Sequence, residues 1–362
     1  MIETPSVNID LSKVQQNIAD MSKAAQRNGV KLRPHIKTHK IPDIAKWQLK
    51  EGAQGISVAK TTEAMVMADA GVEDIFIAYP VITDSALDRV LQLNRDIRLI
   101  VGVDSVEGAR RLSAKLKEKN QTIEIRVEID TGLKRTGIPY EEAVHVTQEI
   151  RKFENLNITG IYTFRGAVLQ GEPTMDLEAA GMEEGKLMVD LATKLRGAGI
   201  AIEDVSTGST PTAKYVSQVE GVTEIRPGTY VFYDRMQSQY GLCSYDDCAA
   251  TVKATVVSKP ASDLVVIDGG SKTFATDVQP NTPPLRMQGF GEIKGYPNAV
   301  FERMTEEHGI IRIEDSDVNI GDTLDIIPNH ICSTVNLHNF VYMIDEAGDV
   351  QKERVEARGK LQ

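Results

Sequence analysis

The stretch DIFIAYPVITDSALDRVLQLNRDIRLIVGV at residues 74–103 contains two short apolar runs on either side of an amphipathic segment. The runs Asp74–Tyr79 and Arg98–Val103 are rich in β-branched residues and predict buried strands. Between them, the apolar residues of SALDRVLQL recur at helical spacing and predict a helix. Strand, helix and strand in this order predict that the two strands pair in parallel.

The same unit recurs up to about residue 235. Six more strand-like runs are Lys31–Lys37, Gly55–Ala59, Glu124–Asp130, Thr159–Phe164, Asp204–Thr207 and Thr223–Arg226. About eight such units close a TIM-type (β/α)8 barrel, which the sequence therefore predicts over residues 10–235. The alternative is a doubly wound open sheet, but no run is followed by the GxGxxG pattern of that fold.

The pattern changes after Tyr233, where strand-like runs follow one another without helical segments. The runs are ATVKATVVSK, SDLVVIDGG, GIIRIED and NFVYMID, separated by Gly, Pro and Asp. They predict an antiparallel β domain over residues 236–362, with which residues 1–9 are expected to pair. The Pro- and Gly-rich stretch Asp277–Asn298 predicts a long loop.

The composition argues against several classes of protein. The 362 residues include 41 Lys and Arg against 52 Asp and Glu, a net charge of −11, whereas nucleic-acid binders need a basic surface. No apolar run reaches the roughly 18 residues of a membrane span, and the N-terminus lacks a signal-peptide pattern. Three dispersed cysteines fit a reducing compartment. We therefore expect a cytosolic protein without nucleic-acid or membrane partners.

Catalytic groups of a barrel lie at the carboxyl ends of its strands, and the first run ends in Arg33–Lys40 (RPHIKTHK). A lysine enclosed there can act as a nucleophile or a base, although a solvated basic turn is the alternative. Thr207–Thr212 (TGSTPT) and Arg226–Tyr230 (RPGTY) combine glycine with hydroxyl residues, as phosphate-binding turns and simple N-caps both do. A lysine at the first strand and phosphate turns at the last two are expected of a pyridoxal phosphate (PLP) enzyme.

These segments make the chain similar to a known family. Together with TPSVNIDLSKVQQNI, SVAKTTEA, EIDTGLKRTGI, VIDGGSKTF, EEHG and PNHICSTVN, they resemble the D-serine dehydratase and D-threonine aldolase family of the alanine racemase superfamily, the fold type III PLP enzymes. The resemblance runs over nearly the whole chain. It implies a barrel and a β domain, a D-amino acid substrate and a homodimer.

The resemblance also implies roles for particular residues. Lys37 is expected to form the Schiff base with PLP and to be the catalytic base. The residues expected to bind the cofactor are Lys37, Tyr162, Gly208, Ser209, Thr210, Gly228, Thr229 and Tyr230. Independently of the resemblance, His35 and Arg165 are candidate substrate contacts.

A metal site is expected at His330 and Cys332. In an extended segment, residues two apart point to the same side, so an imidazole and a thiol could share one ion, although a buried cysteine beside a hydrogen-bonded histidine is the alternative. The resemblance implies a catalytic divalent metal at this pair. Thiolate and imidazole favour zinc over other divalent ions.

One segment departs from the family. Many relatives carry an HxGH motif after the sixth strand, where this chain reads Tyr162–Ala167 (YTFRGA) without a histidine. A base from that segment is therefore not expected, and Arg165 could bind a substrate carboxylate or close an ion pair. Cys243 and Cys248 lack a second cysteine pair, which favours core or surface thiols over a metal site.

The resemblance predicts a PLP- and metal-dependent lyase that acts on D-β-hydroxy-α-amino acids, converting D-serine to pyruvate and ammonia. The alternative is D-threonine aldolase chemistry, which cleaves the Cα–Cβ bond to give glycine and an aldehyde. Further alternatives are an amino-acid racemase, which needs a second base, and a non-enzymatic PLP carrier, which needs no β domain.

Overall fold

The computed structural model describes residues 2–314 and 317–362. Strands and helices alternate along the first 228 residues. In chain order these elements are β1 (Ser6–Asp10), α1 (Leu11–Arg27), β2 (Lys31–Leu32), α2 (Pro42–Lys50), β3 (Ile56–Val58), α3 (Thr61–Asp69), β4 (Asp74–Ile77), α4 (Asp84–Asp96), β5 (Arg98–Val103), α5 (Val106–Glu118), β6 (Ile123–Asp130), β7 (Ile138–Pro139), α6 (Ala143–Ile150), β8 (Leu156–Tyr162), β9 (Val168–Leu169), β10 (Glu172–Pro173), α7 (Leu177–Gly197), β11 (Asp204–Thr207), α8 (Ala213–Val216) and β12 (Glu224–Ile225).

Strands dominate the rest of the chain. They and the two short helices among them are α9 (Arg235–Gln239), β13 (Ala250–Ala261), β14 (Leu264–Ile267), β15 (Gly291–Ile293), β16 (Val300–Met304), β17 (Gly309–Arg312), β18 (Thr323–Pro328), α10 (Ile331–Val335), β19 (Phe340–Ile344) and β20 (Val350–Arg354). In the described ranges, no helix combines the length and the apolar composition that a membrane span requires.

The chain forms two compact units, each of which gathers separate segments. The barrel unit consists of Asp20–Lys37, Pro42–Gly228 and Lys360–Gln362. The β unit consists of Met1–Ala19, Thr38–Ile41 and Thr229–Gly359.

The barrel unit is built on a parallel sheet in the order β2-β12-β11-β8-β6-β5-β4-β3. A parallel bridge between His35 and Ser57 joins the chain after β2 to β3, and so links the two ends of this order. Helices connect the strands, and α4 buries Leu87, Val90 and Leu91 at the spacing of one helix face. The predicted α/β barrel with an additional β domain is confirmed.

An ionic cluster fills part of the barrel sheet. The fully buried Glu224 accepts hydrogen bonds from Arg33 Nε at 2.8 Å and from Arg126 Nη1 at 2.5 Å. Arg126 Nη2 also binds Asp204 at 2.7 Å, and Arg33 pairs with Asp74. Burial alone would raise the pKa of Glu224, but the two guanidinium groups hold it well below its usual range. The sheet is therefore held by charge pairs as well as by apolar packing.

The first barrel strand is shorter than expected. The sequence predicts a strand over Lys31–Lys37, but β2 ends at Leu32, and Ile36–Thr38 forms a 3-10 turn. Pro34 accounts for the early end, because its nitrogen has no hydrogen to donate to a neighbouring strand. Lys37 thus lies on a turn beyond the strand.

The β unit has a mostly antiparallel sheet in the order β16-β17-β14-β13-β1-β19-β20, with β18 on β13 and β15 on β18. Strand β1 lies inside this order, antiparallel to β13 and parallel to β19. The stretch Asp277–Asn298, predicted as a long loop, contains β15, because Gly291–Ile293 pairs with Ile326–Pro328.

Candidate active site

Lys37 lies on the wall of a cavity in the barrel unit. The preceding turn is fixed by a hydrogen bond from His35 N–H to the Pro227 carbonyl at 3.0 Å. The ammonium nitrogen of Lys37 lies 5.2 Å from the centre of the Phe164 ring. The cavity has a volume of about 400 Å³, which is in the usual range for an enclosed small-molecule site. Its polar lining residues are His35, Lys37, Glu128, Arg135, Thr136, Tyr162 and Arg226.

Tyr162 is held in place on this wall by a buried carboxylate. Its hydroxyl donates to Glu128 Oε2 at 3.0 Å, and Thr136 donates to Glu128 Oε1 at 2.8 Å. Burial raises the pKa of Glu128, and the two hydrogen bonds oppose this effect. The Tyr162 ring also packs edge-on against Phe76, with 4.9 Å between the ring centres. The tyrosine is therefore fixed at its ring and at its hydroxyl.

Arg226 is a cavity residue that the sequence reasoning did not select. Its Nη1 donates to Ser206 Oγ and its Nη2 to the Thr163 carbonyl, both at 2.6 Å. The guanidinium lies 5.2 Å from the centre of the Tyr162 ring. Arg226 opens the RPGTY segment directly after β12, so the rule that polar residues at strand ends carry chemistry could have found it. The same rule applies to Glu128, near the end of β6.

A buried carboxylate lies beneath the TGST turn. Glu184 accepts hydrogen bonds from Thr207 Oγ1, from the Gly208 N–H and from Thr212 Oγ1, at 2.8 to 3.2 Å. Gly208 was expected to offer its N–H to a phosphate, and in this structure that N–H donates to the buried Glu184. Burial raises the pKa of Glu184, and these hydrogen bonds oppose the shift. Gly208 adopts a positive φ of 83°, which explains a glycine at this position.

Ser209, Thr210 and Gly228 come together in the barrel unit. The Gly228 N–H donates to Thr210 Oγ1 at 3.2 Å, and the Ser209 N–H donates to Thr212 Oγ1 at 3.2 Å. Both backbone N–H groups therefore donate to side-chain hydroxyl oxygens, which are weaker acceptors than a phosphate oxygen. The hydrogen bond from Gly228 to Thr210 joins the two turns, and a bound anion could replace the hydroxyl as the acceptor.

Arg165 is almost fully buried and forms an ion pair. Its Nη2 donates to Glu183 at 2.7 Å, which matches one of the two roles that the sequence left open. In the described part of the chain, its Nε and Nη1 have no hydrogen-bond partner. The ion pair is therefore present, and a substrate contact stays a prediction.

His330 and Cys332 are next to each other in the β unit, but not through strand alternation. His330 is the N-cap of α10 and Cys332 lies in its first turn, whereas an extended segment was expected. Asp277, 53 residues away in the sequence, accepts from His330 Nδ1 at 2.5 Å and from Ser333 Oγ at 3.0 Å.

The surroundings of Cys332 are also polar. Its sulfur lies 3.1 Å from Thr38 Oγ1 and 3.5 Å from Thr229 Oγ1. Burial favours the neutral thiol, but the imidazole of His330 and the Thr229 hydroxyl lower the pKa of Cys332 overall. Thr229 thus contacts the cysteine, while Tyr230, also expected at the cofactor, is fully buried in the 3-10 turn Thr229–Val231.

The side chains at the two sites fit the two groups that the sequence implies, a divalent metal and PLP. A histidine whose Nδ1 is held by a carboxylate presents Nε2 to a metal, which is the usual support of a metal-binding histidine. Among the described residues, no group of three or more His, Cys, Asp or Glu is placed to hold an ion. A metal at this pair would therefore have two protein ligands. The cavity combines an amine, a fixed tyrosine and a buried guanidinium, which suits an anionic aromatic cofactor.

Comparison with known families decides the relationship. The family model "Alanine racemase, N-terminal domain" matches residues 9–236, more than half of the chain. The chain belongs to the alanine racemase family. A second model, "Putative serine dehydratase domain", matches residues 249–344 of this alanine racemase family member.

Relatives within the alanine racemase family confirm the resemblance drawn from the sequence. The chain is 30% identical to a D-threonine aldolase of Arthrobacter sp, over 99% of this chain and 93% of the relative. It is 33% identical to D-threo-3-hydroxyaspartate dehydratase of Delftia sp., over 92% of each. The solved structure of that dehydratase superposes with a TM-score of 0.90 at 32% identity, covering 98% of this chain and 97% of the other. A cysteine-to-alanine variant of the dehydratase has been solved in a metal-free form, with a TM-score of 0.89.

Proposed function

We propose that the chain is a PLP- and metal-dependent lyase that removes water from D-β-hydroxy-α-amino acids, in the manner of a D-serine dehydratase. The observation that carries the proposal is the cavity wall on which Lys37, Tyr162 and Arg226 meet. The match to a serine dehydratase domain and the likeness to D-threo-3-hydroxyaspartate dehydratase support it. The pair His330 and Cys332, with Asp277 on the histidine, supports a divalent metal, for which zinc is the proposed ion.

When bound, PLP would supply an electron sink for negative charge at Cα, and the metal would supply a Lewis acid for the leaving hydroxyl group. Lys37 would hold the cofactor through its amine and, once displaced, take the proton from Cα. Arg226 would keep a positive charge against the cofactor, since Ser206 and Thr163 fix its guanidinium. Glu128 would hold the Tyr162 hydroxyl away from water.

The substrate in this proposal is the D-enantiomer, which the named relatives support. A single lysine can remove a proton from one face only, so only one enantiomer should react. Gly208, Ser209, Thr210, Gly228 and Thr229 are the proposed phosphate ligands, with Tyr162 and Tyr230 near the cofactor. His35 and Arg165 are the proposed substrate contacts. Homodimer assembly and a cytosolic location stay predictions.

Retro-aldol cleavage is the second candidate, favoured by the similarity to a D-threonine aldolase over almost the whole chain. Incubation of the holoenzyme with D-serine and with D-threonine, followed by chromatography of the products, separates the two. Dehydration gives pyruvate and ammonia from D-serine, and cleavage gives glycine and acetaldehyde from D-threonine. Chelator should stop either reaction, whereas rapid interconversion of D- and L-alanine after metal removal would establish a racemase instead.

A further inference from the structure

A second cavity lies beside the Lys37 cavity in the barrel unit. Its volume is about 720 Å³, and the two cavities share Tyr79, Pro80 and Thr136 as lining residues. Most of its other walls come from the segments that follow β3, β4 and β5, at the carboxyl ends of these strands. A barrel binds its substrate at this face. The second cavity therefore borders the proposed site on the face where substrates bind.

The second cavity lies across the barrel from the turns expected to bind phosphate. Those turns follow β11 and β12, which are neighbours in the sheet. Strands β4 and β5 are separated from this pair by β8 and β6 in one direction and by β2 and β3 in the other. A molecule anchored by its phosphate at β11 and β12 thus has β4 and β5 on its far side. A substrate side chain has room on that far side, in the second cavity.

Two cations line the second cavity without a carboxylate partner. The Lys60 ammonium lies 3.8 Å from the centre of the ring of Tyr79, which lines both cavities. Arg89 donates from Nε to Thr61 Oγ1 at 2.8 Å. In the described ranges, neither Lys60 nor Arg89 forms an ion pair. Asp104 is the one acidic side chain among the described lining residues, so the charge of the lining is net positive.

Lys60 is placed to bind an anion where the two cavities meet. The face of an aromatic ring attracts an ammonium group but contains no oxygen that could accept its hydrogen bonds. The N–H donors of Lys60 thus lie beside Tyr79, at a wall common to both cavities. A carboxylate forms stronger hydrogen bonds with such a donor than a neutral acceptor does. The lining therefore favours a ligand group with a negative charge.

We propose that the second cavity is the subsite for the substituent on Cβ of the substrate, and that Lys60 selects substrates in which this substituent carries a carboxylate. This inference rests on the lyase function proposed above. The preferred substrates are then D-β-hydroxy-α-amino acids with an acidic side chain. D-serine has no carbon substituent on Cβ and makes no use of the second cavity, whereas D-threonine brings only a methyl group to it.

Steady-state kinetics of the holoenzyme with D-threonine, D-3-phenylserine and 3-hydroxy-D-aspartate test the subsite, because these substrates differ only in the substituent on Cβ. The kcat/KM for the acid should exceed that for D-threonine by about tenfold or more, as a hydrogen bond to a charged group provides. Lys60→Met should remove most of this preference, and Lys60→Arg should restore it. Lys46→Met removes the same charge from α2 and should keep the preference of the parent. The proposal is overturned if Lys60→Met keeps it too, or if the parent prefers D-3-phenylserine to the acid.

A binding experiment separates failure of the subsite from failure of the lyase function. D-malate is D-lactate with a carboxylate added on Cβ, and neither has an amine through which it could react. Calorimetric titration of the holoenzyme should give a Kd for D-malate about tenfold below that for D-lactate, and Lys60→Met should remove this difference. Such a difference in a protein without lyase activity would support the subsite and refute the lyase function. Turnover of D-serine together with equal Kd values for D-malate and D-lactate would refute the subsite alone.

Discussion

The cavity of the barrel unit and the metal pair of the β unit prepare chemistry in different ways. The cavity spreads its polar groups over about 400 Å³, and Lys37, Tyr162 and Arg226 each reach it from a different part of the sheet. The metal pair places two donors beside each other at the start of one short helix, with one carboxylate holding the histidine. An organic cofactor needs volume and many contacts, whereas an ion needs few atoms in fixed directions. Substitutions in the cavity should therefore lower activity by amounts that differ from residue to residue. At the pair, the loss of any one group should strongly reduce metal affinity.

Lys37→Ala is expected to have the largest effect in the cavity. Loss of the proposed nucleophile and base should lower kcat by about a thousandfold or more, because a positioned base contributes 10²- to 10⁴-fold. Borohydride treatment of the holoenzyme should fix the cofactor on a peptide that contains Lys37. Lys46→Ala, a half-exposed lysine 3.7 Å from Asp43, is the matched control and should keep full activity. A cofactor label on Lys40 or Lys60 would remove Lys37 from the mechanism.

Asp277→Asn tests the metal pair without touching either donor. An amide cannot hold the His330 Nδ1 proton as a carboxylate does, so metal affinity should fall by about 10- to 100-fold. Metal content by elemental analysis after dialysis against a chelator series measures this. Ser333→Ala, which removes only the hydroxyl bonded to Asp277, should change the affinity far less. Equal metal retention in Asp277→Asn and the parent would show that the carboxylate has no part in the site.

Tyr162→Phe removes one hydroxyl from the cavity and keeps the ring. The hydrogen bond to Glu128 is lost while the ring can still pack on Phe76, so kcat/KM should fall by only about three- to tenfold. Steady-state kinetics and the absorption spectrum of the bound cofactor report this. A loss as large as that of Lys37→Ala would mean that the hydroxyl takes part in the reaction directly.

Glu128→Gln is expected to have the smallest effect, seen in stability and its pH dependence. Burial raises the pKa of Glu128, so the folded protein binds this proton more tightly than the unfolded chain. The stability of the parent therefore falls as the pH rises through the interval between the ordinary and the raised value. The glutamine variant lacks this loss. Its free energy of unfolding in urea, relative to the parent, should be greater near pH 7 than near pH 4. A relative stability that falls between the two would contradict the burial argument.

The fold followed from the sequence where local periodicity coincided with tertiary contacts. The strands Arg98–Val103 and Asp204–Thr207 have the predicted bounds. The prediction failed at the first strand, where Pro34 ends the pairing. It also missed β15, because Gly291–Ile293 is a strand only through its pairing with β18. Short strands in glycine-rich stretches have no period of their own.

The candidate site was predictable where a motif carried it. Lys37, His330 and Cys332 stand in compact motifs; the structure places Lys37 on the cavity wall and the other two beside polar partners. Asp277 and Glu184 had no such signal, because each meets its partners only after folding, across 53 residues to His330 and 24 residues to Gly208. Such buried carboxylates accept hydrogen bonds from segments that are far away in the sequence. A single sequence does not show which segments come together in the fold.

Strand β1 also limits when the sheet of the β unit can form during translation. Ser6–Asp10 leaves the ribosome long before its pairing partners, which lie in Ala250–Ala261 and Phe340–Ile344. For most of translation this strand has no partner on either edge, although the barrel segments between can already form local contacts. The sheet of the β unit can therefore close only after residue 344 has emerged. A nascent chain that stalls earlier leaves both edges of this strand unpaired, and unpaired strand edges can pair with other chains and cause aggregation.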